Sequence, residues 1–223
     1  MFFRKIIKRV LGFCVPELKP ILSHKVELKS LENEALRSEI DEFSKIYAPF
    51  RIIETKIGKG TYLSSNSKIS KTEIGKFCSI GPNFLCGWGL HPTNGISTSP
   101  YFYSTSKQNG STISKENLFE ERKNIYIGND TFIGANVTIL DGVKIGNGVV
   151  IGAGSIVSKD IPDFAIAYGS PIEIKKYRFT ERQRKDLKKI EWWNFSDIDL
   201  KNVNTYFYNI DAFIEKYKGQ DPL

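Results

Sequence analysis

The chain has two histidines, His24 and His91, and His91 falls in Cys86-Gly-Trp-Gly-Leu-His-Pro-Thr-Asn-Gly-Ile-Ser-Thr-Ser-Pro-Tyr, a polar stretch interleaved with aromatics. The unperturbed pKa of histidine lies near neutrality, so a neutral imidazole can take a proton from a hydroxyl or amine as that group attacks. On residue type alone, a solvated or hydrogen-bonded loop histidine is the plainer reading. Trp88, Asn94, Tyr101, Phe102 and Tyr103 surround it in sequence and pair aromatic faces with hydrogen-bonding groups. Such a set suits a sugar ring, and suits packing of a loop onto a neighbouring subunit better still. The three cysteines, Cys14, Cys78 and Cys86, are odd in number and lack metal-type pairing with histidine. They suggest neither a disulfide framework nor a metal site, and a reducing cytoplasm is the natural compartment.

The elements that would position these residues are written in a period of six. Ile127, Ile133, Ile139, Ile145, Ile151 and Val157 recur at every sixth position, four of them followed by glycine. That period fits neither a helix nor a lone amphipathic strand; it fits a solenoid of short strands, each placing one aliphatic side chain on an inner stack. An earlier array carries Ile57, Leu63, Ile69, Ile74 and Ile80, with one step of five residues from Ile69 to Ile74 where a face should be shortened. Between the arrays, from about Leu85 to Asn124, the beat is lost. A long irregular segment in a compact domain is usually functional, so this stretch reads as the working loop.

The flanks read as helices. Residues 1–14 carry Phe3, Ile6, Ile7, Val10 and Cys14 at helical spacing opposite Arg4, Lys5, Lys8 and Arg9. This pattern is too charged to span a membrane or serve as a signal peptide core. It suits the inner face of an anionic membrane, or packing on the solenoid or a second subunit. Leu28 to Tyr47 reads as a second amphipathic helix, and the solenoid is expected from about residue 51 to 178. Thr180 with Gln183 is a plausible capping box for a helix through Leu187, Ile190 and Trp193. A last helix would carry Val203, Tyr206, Phe207, Ile210, Phe213, Ile214 and Tyr217 on one side. Terminal segments of this kind commonly cover a solenoid's open end. The net charge of +7 is spread along the chain without a recognisable nucleic-acid module, and an anionic ligand accounts for it equally well.

The hexads from Ile127, then Ile151-Gly-Ala-Gly-Ser-Ile-Val-Ser-Lys-Asp-Ile-Pro, Tyr168-Gly-Ser-Pro, Lys176-Tyr-Arg-Phe and Trp192-Trp193, resemble the left-handed β-helix acyltransferases of the hexapeptide-repeat superfamily. Nearest in pattern is the xenobiotic, type B chloramphenicol acetyltransferase branch, with relatives that O-acetylate surface polysaccharides. The resemblance implies an all-β left-handed parallel β-helix with a protruding loop and N- and C-terminal helices. It further implies a homotrimer with sites between neighbouring solenoids, acetyl-CoA as co-substrate, no metal, and His91 as general base. The matching donor-binding positions are Ala135, Ala153, Ser158, Lys159 and Lys176, and acceptor contacts would fall on Trp88, Asn94, Tyr101 and Tyr103. Glu173 stands where relatives often carry a basic residue, Ser170 and Ile172 replace the Asn and Ala of a Gly-Asn-Pro-Ala turn, and Phe132 replaces a frequent Trp. The loop pattern is closer to the polysaccharide enzymes than to the drug-modifying ones. N-acetylation of an amino sugar, O-acetylation of an antibiotic and a catalytically silent scaffold remain alternatives. A hexapeptide-repeat carbonic anhydrase is disfavoured, since its zinc centre needs three histidines.

Overall fold

The computed structural model describes residues 33–219, with residues 10, 11, 13 and 14. The rest of the basic segment at 1–14, and Leu28 and Leu31 of the expected second helix, lie outside the described residues.

Aliphatic residues five or six apart give strands of two to five residues, each ending where the chain turns a corner. Three strands make a coil, and each pairs in parallel with its equivalent one coil away, forming three sheets of six, five and seven strands, the last closed by one antiparallel edge strand, Glu173–Tyr177. Sheet A stacks Ile52, Ile69, Cys86, Ile139 and Val157. Sheet B stacks Ile57, Ile74, Ile127 and Ile145, with Ile161 bridged to Ile145. Sheet C stacks Leu63, Ile80, Ile133, Ile151 and Ala167. All are buried, and burial of one such aliphatic side chain is worth about 1.5–3 kcal/mol. This is the parallel β-solenoid expected of a left-handed β-helix.

Small polar residues fill the inner corners because their hydroxyls satisfy carbonyls that the turns leave bare. Thr61 donates to the Gly75 carbonyl (2.8 Å), Thr131 to Gly128 (2.9 Å) and Ser155 to Gly152 (2.7 Å). Close stacking also fixes Gly146, where a Cβ would lie 2.5 Å from the Asp163 nitrogen.

Among the described residues the solenoid is already present from Asn33, and the helix expected over Leu28–Tyr47 is not formed by the described part of that range. Asn33–Leu36, Glu39–Ile40 and Lys45–Ile46 are strands paired with the coil above, Ala35 opposite Ile52, Ile40 opposite Ile57 and Ile46 opposite Leu63. The apolar steps of five and six along one coil overlap helical spacing closely enough to imitate it. In these lower coils equivalent positions are 17 residues apart, and the shortened corner lies between sheets A and B. Arg37, Glu54 and Lys71 turn it in left-handed backbone, at φ 49°, 49° and 48°. The five-residue step from Ile69 to Ile74 is one such corner.

The C-terminal helices buttress an edge of the solenoid instead of covering its end. Helix α1, Glu181–Ile190, starts with the expected capping box of Thr180 and Gln183 and stops where Glu191 turns left-handed. Trp193 therefore sits in a separate 3-10 turn, Trp192–Asn194. The single last helix is instead two, α2 (Leu200–Thr205) and α3 (Ile210–Tyr217), because Asn209 caps α3 by accepting from the Ala212 N–H. Phe207, expected on the packed side, lies in the break and is exposed. The B–C corner supplies the docking ridge: Phe77 stacks on Trp192, and Phe164 meets Phe179 edge-on, both at 5.6 Å between centroids. Phe77 and Phe164 hold φ of 57° and 60°, unusual for bulky residues, and their packing against the helices holds them there.

Candidate active site

The loop leaves the solenoid at one corner and re-enters at the same corner. Leu85–Cys86 is still a sheet A strand, so the excursion starts at Gly87 and not at Leu85. Cys86 pairs with Ile69, and Ile125 pairs with Thr72 in sheet B. Residues 88–124 thus stand where the coil below has Lys71 alone. One carboxylate ties both stems: Asp141 accepts from the Gly89 N–H (2.9 Å) and from the Lys123 N–H (3.2 Å). The guanidiniums of Arg51 and Arg122 each lie 5.7 Å from the Trp88 ring. Arg122 also donates to the Ser70 hydroxyl (3.1 Å), so the stem is fastened to the solenoid wall.

His91 follows this stem and is exposed. Its Nδ1 lies 2.9 Å from the Thr98 carbonyl and 2.8 Å from the Tyr103 hydroxyl. A carbonyl only accepts, so Nδ1 carries the ring proton and Nε2 keeps its lone pair. Among the described residues no group bonds Nε2. Tyr103 is buried, and the Glu121 carboxylate lies near enough to act on it. Burial, together with the Glu121 charge and hydrogen bond, pushes the phenol above its ordinary pKa. Glu121 in turn accepts from Ser104 and Gln108, both at 2.6 Å, and its backbone carbonyl accepts from the Leu90 N–H beside His91. The order His91, Tyr103, Glu121 puts a carboxylate behind the imidazole through one hydroxyl.

Of the acceptor candidates, Asn94 and Tyr103 line one cleft of about 460 Å³ with Pro92, Ile96, Phe102 and Phe119. Tyr101 packs edge-on against Phe102, and Trp88 is taken up by its two arginines. The donor candidates divide between corners. Ala135 and Ala153 stack in successive coils at the C–A corner, where the Gly154 N–H donates to the Ala135 carbonyl (2.8 Å). Ser158 and Lys159 are exposed beyond the last sheet A strand, and Lys176 is exposed on Glu173–Tyr177, the antiparallel edge of sheet C. Glu173 is held below the usual carboxylate range first by its bond to Lys175 and also by the charge of Lys159. Lys175, not singled out from the sequence, thus occupies the carboxylate.

The C–A corner differs from its counterpart in one respect that matters for a ligand. At the B–C corner three successive first corner N–H groups are taken by the side chain above: Lys76 by Asn129, Asn129 by Asn147 and Asn147 by Asp163, all at 2.8 Å. Ala135 and Ala153 hold the equivalent places at the C–A corner, where no side chain reaches back. Their N–H groups meet no acceptor among the described residues. Two outward amide donors one coil apart form a rail for a ligand that carries carbonyls. The alanines follow from the resemblance, whereas Thr98, Glu121 and Asp141 carry no signal in the sequence, because their contacts span 7 to 52 residues. The described residues contain no group of His, Cys, Asp and Glu suited to hold a metal ion, and no helix long and apolar enough to cross a membrane.

Residues 124–159 match the family model described as bacterial transferase hexapeptide (six repeats). A probable macrolide acetyltransferase of Lysinibacillus sphaericus is 35% identical over 69% of this chain and 87% of its own length. A galactoside O-acetyltransferase of Lactococcus lactis subsp. lactis (strain IL1403) is 34% identical over 58% of this chain and 56% of its own. A hexapeptide-repeat-containing acetyltransferase of Vibrio cholerae O1 biovar eltor, solved with acetyl coenzyme A, shares the fold at a TM-score of 0.51 and 24% identity, covering 66% of this chain and 74% of that one.

Proposed function

The chain belongs to the hexapeptide-repeat acetyltransferases, and from that premise we propose that it moves an acetyl group from acetyl-CoA to a hydroxyl of a surface polysaccharide or its precursor, with His91 as general base. The observation that carries the reading is the tautomer of His91: the Nδ1–H is shared by the Thr98 carbonyl and the Tyr103 hydroxyl, and Nε2 is left bare on an exposed loop. Nε2 takes the acceptor proton as the hydroxyl oxygen attacks the thioester carbonyl, and the new ester forms as the sulfur leaves. The imidazolium then returns its proton to the leaving thiolate. Through these steps Thr98 holds the ring, and Glu121, acting through Tyr103, offsets the positive charge.

Acetyl-CoA fits the unpaired Ala135 and Ala153 N–H groups, because a pantetheine arm carries two amide carbonyls. Ser158, Lys159 and Lys176 lie toward its nucleotide end, where Glu173 weakens the case for phosphate contact by drawing on Lys159. A sugar acceptor is favoured by the galactoside-acetylating relative and by Asn94 and Tyr103 in the loop cleft. An antibiotic hydroxyl is the second reading, favoured by the macrolide-acetylating relative. A homotrimer would bring a neighbour's wall against the loop. Residues 1–14 would provide contact with the inner face of the cell membrane, an idea that vesicle co-sedimentation with and without those residues decides.

Thiol release from acetyl-CoA is the test, run over a panel of glycans, amino sugars, macrolides and chloramphenicol with the unaltered protein and His91→Ala. The expected result is release with a glycan and a loss of about 10²–10⁴-fold in the variant. Equal release by both proteins with the true acceptor removes His91 as the base.

A further inference from the structure

At the C–A corner the left-handed position is held in successive coils by Asn66, Asn83, Asn136 and then Gly154, at φ 61°, 59°, 59° and 72°. The asparagine side chains form a ladder. Asn66 Nδ2 donates to Asn83 Oδ1 at 2.6 Å, and Asn83 Nδ2 donates to Asn136 Oδ1 at 2.8 Å. Each amide points its donor up the stack, and the last, Asn136 Nδ2, meets no acceptor among the described residues. The fourth rung is glycine, and a Cβ there would have nothing within 4 Å.

The backbone does not require that glycine. Asparagine tolerates left-handed geometry, and three rungs below already adopt it. What glycine supplies is space, one amide side chain wide, next to the unpaired N–H groups of Ala135 and Ala153.

We propose that the ligand completes the ladder: an amide carbonyl of the donor's pantetheine arm occupies the place of a fourth asparagine oxygen and accepts from Asn136 Nδ2. The inference rests on acetyl-CoA being the donor. An amide is the group that fits, since its oxygen accepts from Asn136 and its N–H passes the polarisation onward, as each rung does. Asn136 is then a donor-binding residue, and Gly154 sets donor specificity by being empty.

Two variants test this by calorimetric titration with CoA. Gly154→Asn fills the gap with the side chain the ladder lacks; it is expected to fold with an undiminished thermal midpoint and to bind CoA at least about tenfold more weakly. Asn136→Asp keeps the shape and the oxygen that accepts from Asn83 but presents a carboxylate in place of the donor, and about tenfold weaker binding is expected. A folded Gly154→Asn that binds CoA as tightly as the unaltered protein overturns the proposal. Should that variant not fold, undiminished affinity of Asn136→Asp overturns it. An unaltered protein that does not bind CoA removes the donor reading and this inference with it, which separates the two failures.

Discussion

The Tyr103 hydroxyl lies 2.8 Å from His91 Nδ1 and is the one side-chain group that bonds the imidazole among the described residues. Its oxygen shares the ring N–H with the Thr98 carbonyl, and burial and the nearby Glu121 charge raise the pKa of the phenol. It should act on the imidazolium formed during transfer and not on the binding of either substrate. Tyr103→Phe is therefore expected to lower kcat about tenfold with the KM for acetyl-CoA unchanged. Steady-state kinetics in both backgrounds checks this: in a His91→Ala protein the same change should have no further effect, and an equal loss there would make Tyr103 merely structural.

Asp141 fastens the two stems of the loop, so its removal should loosen the site without loosening the solenoid. Asp141→Ala leaves the Gly89 and Lys123 N–H groups without their acceptor, at a local cost of about 1–3 kcal/mol. Amide hydrogen exchange should rise at least about tenfold at residues 88–91 and 121–124, kcat should fall, and the strands around Ile69 and Ile139 should keep their protection. Unchanged exchange at the stems would show that the loop is held by something else.

Burial pushes the Cys78 thiol up to about 11 and the Cys86 thiol to about 12, whereas Cys14 is exposed. A native chain titrated with a thiol reagent at pH 8 is expected to show one reactive thiol, and three after denaturation. The linkage has a definite sign. A folded-state pKa above the unfolded value of 9.0 gives stability that is complete below pH 9.0 and is lost as pH rises toward 11 and 12. Chemical denaturation followed across that range should show the decline, and Cys86→Ser should make it shallower.

The repeat was legible because its physics is local: each inner position needs one aliphatic side chain, and Ile127 to Val157 show it without interruption. The lowest coil was not, since its steps at Ala35, Ile40 and Ile46 also satisfy a helix, and only pairing with Ile52, Ile57 and Leu63 tells them apart. Thr180 and Gln183 announced α1 because a capping box lies within four residues, but the left-handed Glu191 and the break before Asn209 depend on packing. His91 stood out as a loop histidine. Its partner Tyr103 shows in the sequence only as an aromatic ring, and the hydroxyl contact that gives it a different part to play spans 12 residues of irregular chain. The loop aromatics likewise divide in ways composition does not reveal, with Trp88 near arginines and Tyr103 bonded to His91.

Because residues 88–124 replace Lys71's place in a corner, the strands on either side keep their partners whatever the loop contains. The solenoid is in this sense indifferent to its cargo. Lengthening, shortening or exchanging that segment leaves every inner aliphatic contact in place, so a lineage can revise which molecules it modifies while the scaffold drifts slowly. The junctions at Gly87 and Ile125 mark where such a cassette would be cut and joined, and Asp141 is the anchor that its stems must meet.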